Sequence, residues 1–232
     1  MINPKKVKQF WESRAELYSV VALESVANLE QDPTNLQIKI DDETAKVFSW
    51  LPSVENKNIL DLGAGVGQWS FRFAERNAKR VLAVEYTEGL AKIGEQEARA
   101  RKMEQVEFVV CAAEEYKSTE KFDLIFISGL FVYLNDDQAK DLLANLDDFL
   151  TDDGLLMLRD GTGVAMRYEI DDNYSEHLAQ NYSATYRTAN EYITLFENAG
   201  FSCIQSENMF PESHPLNKYK ETRLRLFLFR KS

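Results

Sequence analysis

Residues 59–70 read Ile-Leu-Asp-Leu-Gly-Ala-Gly-Val-Gly-Gln-Trp-Ser, and this stretch decides the fold. A short apolar run ends at Asp61. Three glycines then follow at every second position: Gly63, Gly65 and Gly67. Because glycine has no Cβ, the backbone there can adopt positive φ values and a ligand can approach closely. The pattern predicts a strand, a glycine-rich turn and a helix over 68–75, which together bind a nucleotide. The spacing differs from the Gly-x-Gly-x-x-Gly fingerprint of nicotinamide enzymes, which argues against a dehydrogenase.

Strands and helices alternate along the chain after residue 57. The predicted strands are 58–61, 80–85, 106–111, 122–128 and 155–159. The helices expected between them are 68–76, 88–102 and 136–150. Alternation at this spacing is typical of an α/β fold, in which helices cover both faces of a parallel sheet. The runs 124–127 and 155–158 are apolar at every position, as parallel strands buried on both faces are.

The C-terminal part departs from simple alternation. A helix is predicted over 189–199, where Gly200 provides a C-terminal cap, and a strand over 201–207. A loop with two prolines then leads to a last strand over 222–230, which would close a hairpin with the strand before it.

The glycine pattern and the closing hairpin resemble the class I S-adenosylmethionine-dependent methyltransferases. The first motif of that superfamily has the acid-x-Gly-x-Gly-x-Gly spacing that runs here from Asp61 to Gly67. The resemblance covers about residues 41–232. It implies a Rossmann-like, seven-stranded, mostly parallel sheet with an antiparallel C-terminal strand and helices on both faces. It also implies S-adenosyl-L-methionine as the cofactor.

The N-terminal residues have a helical pattern of their own. Apolar residues recur at helical spacing over 5–29, and Asp32–Pro33 interrupts the pattern. A second helix is predicted over 41–51, where Pro52 stops it. The sequence therefore predicts an N-terminal helical lid over 1–40.

The remaining residues, 41–232, are assigned to one methyltransferase domain with an insertion at about 161–187. This insertion is rich in tyrosine and carries Arg167 and Arg187, which could recognise a phosphate or a carboxylate. Its place at the carboxyl edge of the sheet suits a substrate cap. The alternative is a surface helical hairpin whose tyrosines pack inward.

The composition is that of a globular protein of one domain. The chain has 232 residues, of which 44% are apolar and 28% charged, and its formal net charge is −11. This acidic balance argues against a nucleic-acid partner. Since the chain has neither an apolar run of membrane-span length nor a signal-peptide core, a cytoplasmic location and no membrane partner are expected. Cys111 and Cys203 lie in apolar runs and are expected to be buried thiols, and no metal-binding spacing is present.

The resemblance implies roles for the residues around the cofactor. Asp61 would lie near the cationic amino group of the methionine end, and Glu85 would bind both ribose hydroxyls. Residues 10–18 look like the lid helix of small-molecule methyltransferases, in which Arg14 and Tyr18 would bind the cofactor carboxylate. The residues after the third strand would lie beside the adenine. The candidate cofactor-binding residues are Asp61, Gly63, Ala64, Gly65, Gly67, Glu85, Tyr86, Ala113, Glu114, Ser128, Arg14 and Tyr18.

Three residues are candidates for the chemistry on the acceptor. Asp160 ends the fifth strand, where side chains face the site, and is the first candidate for a general base. A turn-initiating aspartate before glycine is its alternative role. Tyr133 stands where many relatives carry histidine, and its alternative role is packing against the sheet. His177, in the insertion, is the second candidate for a base.

The sequence therefore predicts an enzyme that moves a methyl group to a small-molecule acceptor by in-line displacement. One alternative is a protein N-terminal methyltransferase, which the run from Gly63 to Asp160 also resembles. Gln68 and Tyr133 stand where those enzymes carry arginine and histidine. A second alternative is a non-catalytic protein that binds S-adenosylmethionine.

Overall fold

The computed structural model describes residues 1–19, 22–30, 32–176 and 178–232. Its strands are β1 (Asn58–Leu62), β2 (Arg80–Glu85), β3 (Val106–Val110), β4 (Phe122–Ser128), β5 (Leu150–Gly163), β6 (Tyr168–Ser175), β7 (Gln180–Tyr186), β8 (Phe201–Asn208) and β9 (Thr222–Lys231). Its α-helices are α1 (Pro4–Glu16), α2 (Leu23–Val26), α3 (Pro33–Trp50), α4 (Gln68–Ala74), α5 (Glu88–Ala100), α6 (Asp136–Phe149) and α7 (Ala189–Glu197). Two short 3₁₀ turns span Leu17–Ser19 and Phe131–Tyr133.

Seven strands form one sheet in the order β3-β2-β1-β4-β5-β9-β8. The pairs from β3 to β5 are parallel, and β9 is antiparallel to both β5 and β8. This arrangement confirms the predicted fold. In such a sheet the carboxyl ends of β1, β2 and β4 lie at one edge, which is where open α/β sheets bind ligands.

Strand β5 is longer at both ends than the predicted 155–159. Its first residue, Leu150, pairs with Phe122 across an irregularity in the ladder to β4, so residues 150–154 also belong to the strand. Its last residue, Gly163, pairs with Thr222 of β9. Pairing with neighbours on both sides therefore extends the strand past the apolar run that signals it.

Apolar side chains from the two faces of the sheet form separate cores. On one face the core residues of the central strands, such as Ile125 and Ile127, pack with Leu142 of α6 and Phe196 of α7. On the other face the neighbouring strand residues pack against α3, α4 and α5. Alternate strand residues feed opposite faces, so this burial explains why the central strands are apolar throughout.

The N-terminal region differs from its prediction. The expected helix over 5–29 is divided into α1, a 3₁₀ turn and the short α2. Asp32–Pro33, expected to interrupt the helical pattern, begins α3, because the Asp32 carboxylate accepts a bond of 2.8 Å from Asn35 N. Proline is suited to the first turn, where its missing N–H would have no partner. The predicted boundary between lid and domain at 40–41 therefore falls inside a helix.

The insertion is an antiparallel hairpin of β6 and β7, which form their own two-stranded sheet. The alternative of a helical hairpin is therefore wrong. Tyr182 and Ala184 are buried and pack toward α1, and Ser183 and Thr185 on the other face of β7 are buried as well. The middle of β7 is therefore enclosed on both faces.

Two further features bear on the expectations from composition. No helix in the described part of the chain has the length and apolar content that a membrane span requires. Cys111 and Cys203 are free thiols and are half-buried, so they are less enclosed than predicted.

Candidate active site

A cavity of about 640 Å³ opens at the carboxyl edge of the sheet. Its walls come from the glycine-rich loop, α1, α3, the β6–β7 hairpin and residues 210–224 before and within β9. The volume lies in the range of ordinary small-molecule sites. The cavity therefore joins the predicted cofactor site and the insertion in one space.

The glycine-rich loop has three residues in the left-handed region, with φ values of +73° at Gly63, +57° at Gly65 and +83° at Gly67. The backbone N–H groups of Gly63 and Ala64 both donate to the carbonyl of Val84, which holds the loop against β2. Gly63, Ala64 and Gly65 line the cavity. Gly67 does not line it. It caps α4 instead, and a Cβ there would lie 2.6 Å from Cζ of Phe108.

The two predicted acidic residues stand at the ends of β1 and β2 and are almost fully buried. Asp61 accepts a hydrogen bond of 2.6 Å from the Ser70 hydroxyl, and burial raises the pKa of its carboxyl to about 7. The Glu85 oxygens accept bonds from Gly65 N at 2.9 Å and Thr87 N at 2.8 Å, and burial raises the pKa of Glu85. Buried carboxylates of this kind favour cationic or hydrogen-bond-donating ligands.

The predicted adenine region forms the next part of the wall. Tyr86, Ala113 and Glu114 line the cavity. Gln138 donates to the Glu114 carboxylate at 3.0 Å, which holds this side chain beside α6. Burial raises the pKa of the Tyr86 hydroxyl. At the end of β4, Ser128 also lines the cavity, and its hydroxyl accepts a bond of 2.9 Å from Arg159.

Two predicted cofactor residues lie elsewhere, and their expected roles are corrected. The Arg14 guanidinium is buried and donates to the carbonyls of Ser25, Val26 and Asn28, so it ties α1 to the end of α2. Tyr18 donates to the Glu97 carboxylate of α5 at 2.5 Å, which raises the pKa of its hydroxyl. Within the described ranges neither side chain lines the cavity. Both hold the N-terminal segment in place instead.

Asp160 and Tyr133, predicted for the acceptor chemistry, line the same cavity. Asp160 is fully buried, and its oxygens accept bonds of 2.7 Å from Phe131 N and Gly161 N. Burial raises its pKa to about 7. The carboxyl therefore changes charge near neutral pH, as a general base requires.

A chain of tyrosine hydroxyls lies beside Asp160. The Tyr133 and Tyr182 hydroxyls are 3.0 Å apart, and those of Tyr182 and Tyr186 are 3.3 Å apart. The Tyr186 ring rests on Gly161, where a Cβ would lie 2.7 Å from the ring carbons. Trp11 of α1 contacts the Tyr133 ring edge to face, with ring centroids 5.3 Å apart. We call the space bounded by these four aromatic residues and Asp160 the tyrosine chamber.

The arginines of the insertion do not face the cavity as anion receptors. Arg187 is buried and donates to the carbonyls of Phe131 and Leu134 and to the Asp136 carboxylate. Arg167 binds the same carboxylate at 2.9 and 3.0 Å. The two arginines therefore lower the pKa of Asp136 to about 2 and fix the hairpin to α6. His177 lies outside the described residues, and its predicted role stays a prediction.

Several charged residues of the cavity wall were not predicted. They include Lys39 and Glu43 of α3, Arg72 of α4 and Arg159 of β5. Arg159 directly precedes Asp160 at the predicted end of a strand. Of the four residues, it is the one whose position in the sequence could have marked it as a site residue. The other three lie on helices, where nothing local in the sequence points them toward a ligand.

Comparisons with known proteins agree with this geometry. A family model described as "Methyltransferase domain" matches residues 59–154. Phosphoethanolamine N-methyltransferase 1 of Caenorhabditis elegans is 25% identical over 166 residues, which are 69% of this chain and 32% of that protein. Phosphoethanolamine N-methyltransferase 3 of Arabidopsis thaliana is 26% identical over 156 residues, or 66% and 30%. The chain spans about a third of the length of these curated relatives.

Solved structures show the same fold. Phosphoethanolamine N-methyltransferase 1 of Haemonchus contortus, in complex with phosphoethanolamine and S-adenosylhomocysteine, has a TM-score of 0.75 and 20% identity, covering 99% of this chain and 49% of that one. The 1,6-didemethyltoxoflavin-N1-methyltransferase of Burkholderia thailandensis has a TM-score of 0.69 and 20% identity, covering 100% and 92%.

The chain therefore has the class I S-adenosylmethionine-dependent methyltransferase fold. The family resemblance stated from the sequence is confirmed, and the comparisons support S-adenosyl-L-methionine as the cofactor. The roles of the predicted site residues that line the cavity stay predictions.

Proposed function

We propose that this protein transfers a methyl group from S-adenosylmethionine to a nitrogen atom of a small molecule. The observation that carries the proposal is that one cavity holds the glycine-rich loop with Asp61 and Glu85 and also the tyrosine chamber with Asp160. A donor and an acceptor bound in these two parts would meet without leaving the cavity. Positioning of this kind supplies much of the rate of a transfer reaction.

The residues present fit the cofactor. Each Glu85 oxygen accepts one backbone N–H and keeps a lone pair for a ribose hydroxyl. Asp61 keeps one carboxylate oxygen that the Ser70 hydroxyl does not occupy, and it can accept a bond from the cofactor ammonium. Since Gly63 and Gly65 have no side chain, the loop leaves room for close contact. When bound, the cofactor supplies an electrophilic methyl group on a sulfonium.

The tyrosine chamber is suited to an amine acceptor. Tyrosine faces and a carboxylate attract a cation, and Asp160 can take a proton from an ammonium group because its pKa is raised to about 7. The free amine then forms the new N–C bond as the C–S bond breaks with its electrons on sulfur. The curated relatives named above are N-methyltransferases of a small phosphorylated amine, which supports this class of acceptor.

A binding measurement followed by an activity measurement tests the proposal. S-adenosylhomocysteine should raise the melting temperature of the protein, whereas NAD should not, since a ligand stabilises only the state that binds it. Methyl transfer from labelled S-adenosylmethionine is then measured with phosphoethanolamine, ethanolamine and short peptides that have free N-termini.

Transfer to a small amine with little transfer to the peptides is the expected result. Transfer to the peptides alone would favour the protein N-terminal methyltransferase instead. Binding of S-adenosylhomocysteine with no transfer to any acceptor would favour a non-catalytic binding protein. An absence of binding at millimolar ligand would refute the proposal.

A further inference from the structure

Four charged residues meet on the cavity wall on the opposite side of β5 from Asp160. They are Lys39, Glu43, Arg72 and Arg159, and we call them the basic cluster. Helices α3 and α4 and the end of β5 bring them together. Neither the proposed chemistry nor the fold assigns them a role.

Glu43 is the shared acceptor of the basic cluster. Its Oε1 atom is 2.5 Å from Nη2 of Arg159 and 4.0 Å from Nζ of Lys39. Arg159 is 8% exposed and also donates from Nη1 to Ser128, at the end of β4. Its Nε has no hydrogen-bond partner among the described residues. One carboxylate therefore faces two cations, and one buried donor of the arginine is left unsatisfied.

Arg72 adds a third cation. Its guanidinium lies over the Trp69 ring, 4.4 Å from the centroid, and in the part of the chain that the structure describes it makes no ion pair. Its positive charge acts on the Asp61 carboxyl, and it also interacts with Glu43 and Arg159. Arg72 therefore interacts both with other members of the basic cluster and with Asp61, the carboxylate expected to bind the amino group of the cofactor.

The charges of the basic cluster do not balance. Its three cations share the carboxylate of Glu43, while Glu75 and Glu24 also act on Arg72, and the adjacent pair of Lys218 and Glu30, 2.6 Å apart, is neutral. Counted over its four members, the basic cluster thus carries an excess of two positive charges, in a chain whose formal net charge is −11. Burial lowers the pKa of both Lys39 and Arg72. Because charges away from water are costly without partners, such a wall favours an anionic ligand.

We infer that the basic cluster is an oxyanion subsite, which binds a carboxylate or phosphate group of a ligand held in the cavity. The inference rests on the proposed function, since it places that ligand beside the cofactor. Two sources supply this chemistry. One is the carboxylate of the cofactor's amino-acid end, which would pair with the basic cluster while Asp61 binds the adjacent ammonium. The other is an acidic group on the acceptor.

Two variants and a matched control test the inference. Arg72→Gln removes a guanidinium that is not in an ion pair, and Lys39→Met removes the second cation while Arg159 and Glu43 stay paired. Arg76→Gln is the control, because Arg76 also stacks on a ring, 3.7 Å from the Phe48 centroid, but does not line the cavity. Circular dichroism and melting temperature establish that each variant is folded.

Isothermal titration distinguishes the two sources. If the basic cluster binds the cofactor carboxylate, Arg72→Gln and Lys39→Met should each lower the affinity for S-adenosylhomocysteine roughly 10- to 100-fold, because one charge-assisted hydrogen bond is lost. The same variants should leave the affinity for 5′-methylthioadenosine, which lacks the amino-acid end, unchanged. If the basic cluster instead binds an acidic group of the acceptor, the variants should bind S-adenosylhomocysteine as tightly as the wild type does. Inorganic phosphate should then bind the wild-type protein loaded with S-adenosylhomocysteine more tightly than it binds the loaded variants.

The inference fails if both variants match Arg76→Gln in every titration. In that case the wild type would still bind S-adenosylhomocysteine, and the proposed function would stand. If the wild type itself binds no S-adenosylhomocysteine, the proposed function fails first.

Discussion

Replacement of Asp160 by asparagine should change how the stability of the protein depends on pH. The Asp160 carboxyl is fully buried, and its pKa is raised from an ordinary 3.8 to about 7. Folding therefore favours its protonated form. The contribution of this group to stability is fully present below the unfolded-state pKa and is lost as the pH rises through the folded-state pKa.

The size of this change follows from the two pKa values. With 3.8 in the unfolded chain and about 7 in the folded one, the wild type should lose roughly 2–3 kcal/mol between pH 5 and pH 8 through this group. Asparagine does not titrate, so the variant should not show this loss. Asparagine can accept from only one of the N–H groups of Phe131 and Gly161, which costs about 1–3 kcal/mol at every pH. The diagnostic quantity is therefore the slope with pH rather than the value at one pH.

Urea unfolding of the wild type and of Asp160→Asn between pH 5 and pH 8 measures that slope. Relative to the wild type, the variant should gain stability steadily as the pH rises to 7, with the m-value unchanged. Asp137→Asn is the control, because the Asp137 side chain is 93% exposed. A free-energy difference between variant and wild type that stays constant to within about 0.5 kcal/mol over this range would refute the buried titration.

Three further predictions concern the loop, the acid and the tyrosine chamber. Glu85→Gln should weaken S-adenosylhomocysteine by roughly 10- to 100-fold in a titration, because a charged acceptor of the ribose hydroxyls is lost; unchanged affinity would exclude that role. Gly67→Ala should lower stability by about 1–3 kcal/mol in urea unfolding, since its Cβ would lie 2.6 Å from Phe108 at a φ of +83°. Gly200 has a φ of +88°, and no atom lies within 4 Å of the place where its Cβ would be. Gly200→Ala should therefore destabilise the protein less than Gly67→Ala does, and equal losses of stability would show that the overlap with Phe108 does not matter. Tyr182→Phe should slow turnover by roughly tenfold, the worth of one hydrogen bond, with S-adenosylhomocysteine affinity kept; normal turnover would show that the hydroxyl chain is not used.

The fold could be predicted from the sequence because its signals are local. The glycine spacing after Asp61 requires a tight turn at one strand end, and Glu85 ends the next strand in the chain. Parallel strands bring their carboxyl ends to one edge, so two acids that are 24 positions apart in the sequence, 61 and 85, line one cavity. This one geometric rule predicts that the glycine-rich loop and the two acids lie together, and therefore where the cofactor is expected to bind.

The residues that were assigned wrongly depend on contacts that no local pattern encodes. Arg14 was expected to bind a carboxylate, yet its partners are the carbonyls at the end of α2, and these compete for the same donors. Arg187 similarly binds the turn that precedes α6. A guanidinium has five donors and fits either kind of acceptor, so the residue type does not decide between them. The alternation of Tyr182, Ala184 and Tyr186 did carry a strand signal, and it would have placed both tyrosines on one face.

The turn at Phe131–Tyr133 connects the predicted base with the structural arginine. The N–H of Phe131 donates to Asp160, and its carbonyl accepts from Arg187. The turn that carries Tyr133 is therefore held from β5 on one side and from the end of the hairpin on the other. Because the same carboxyl positions this turn and titrates near neutral pH, deprotonation of Asp160 would strengthen its bond to the Phe131 N–H. The geometry of the tyrosine chamber and the charge of its base are thus coupled through one backbone group.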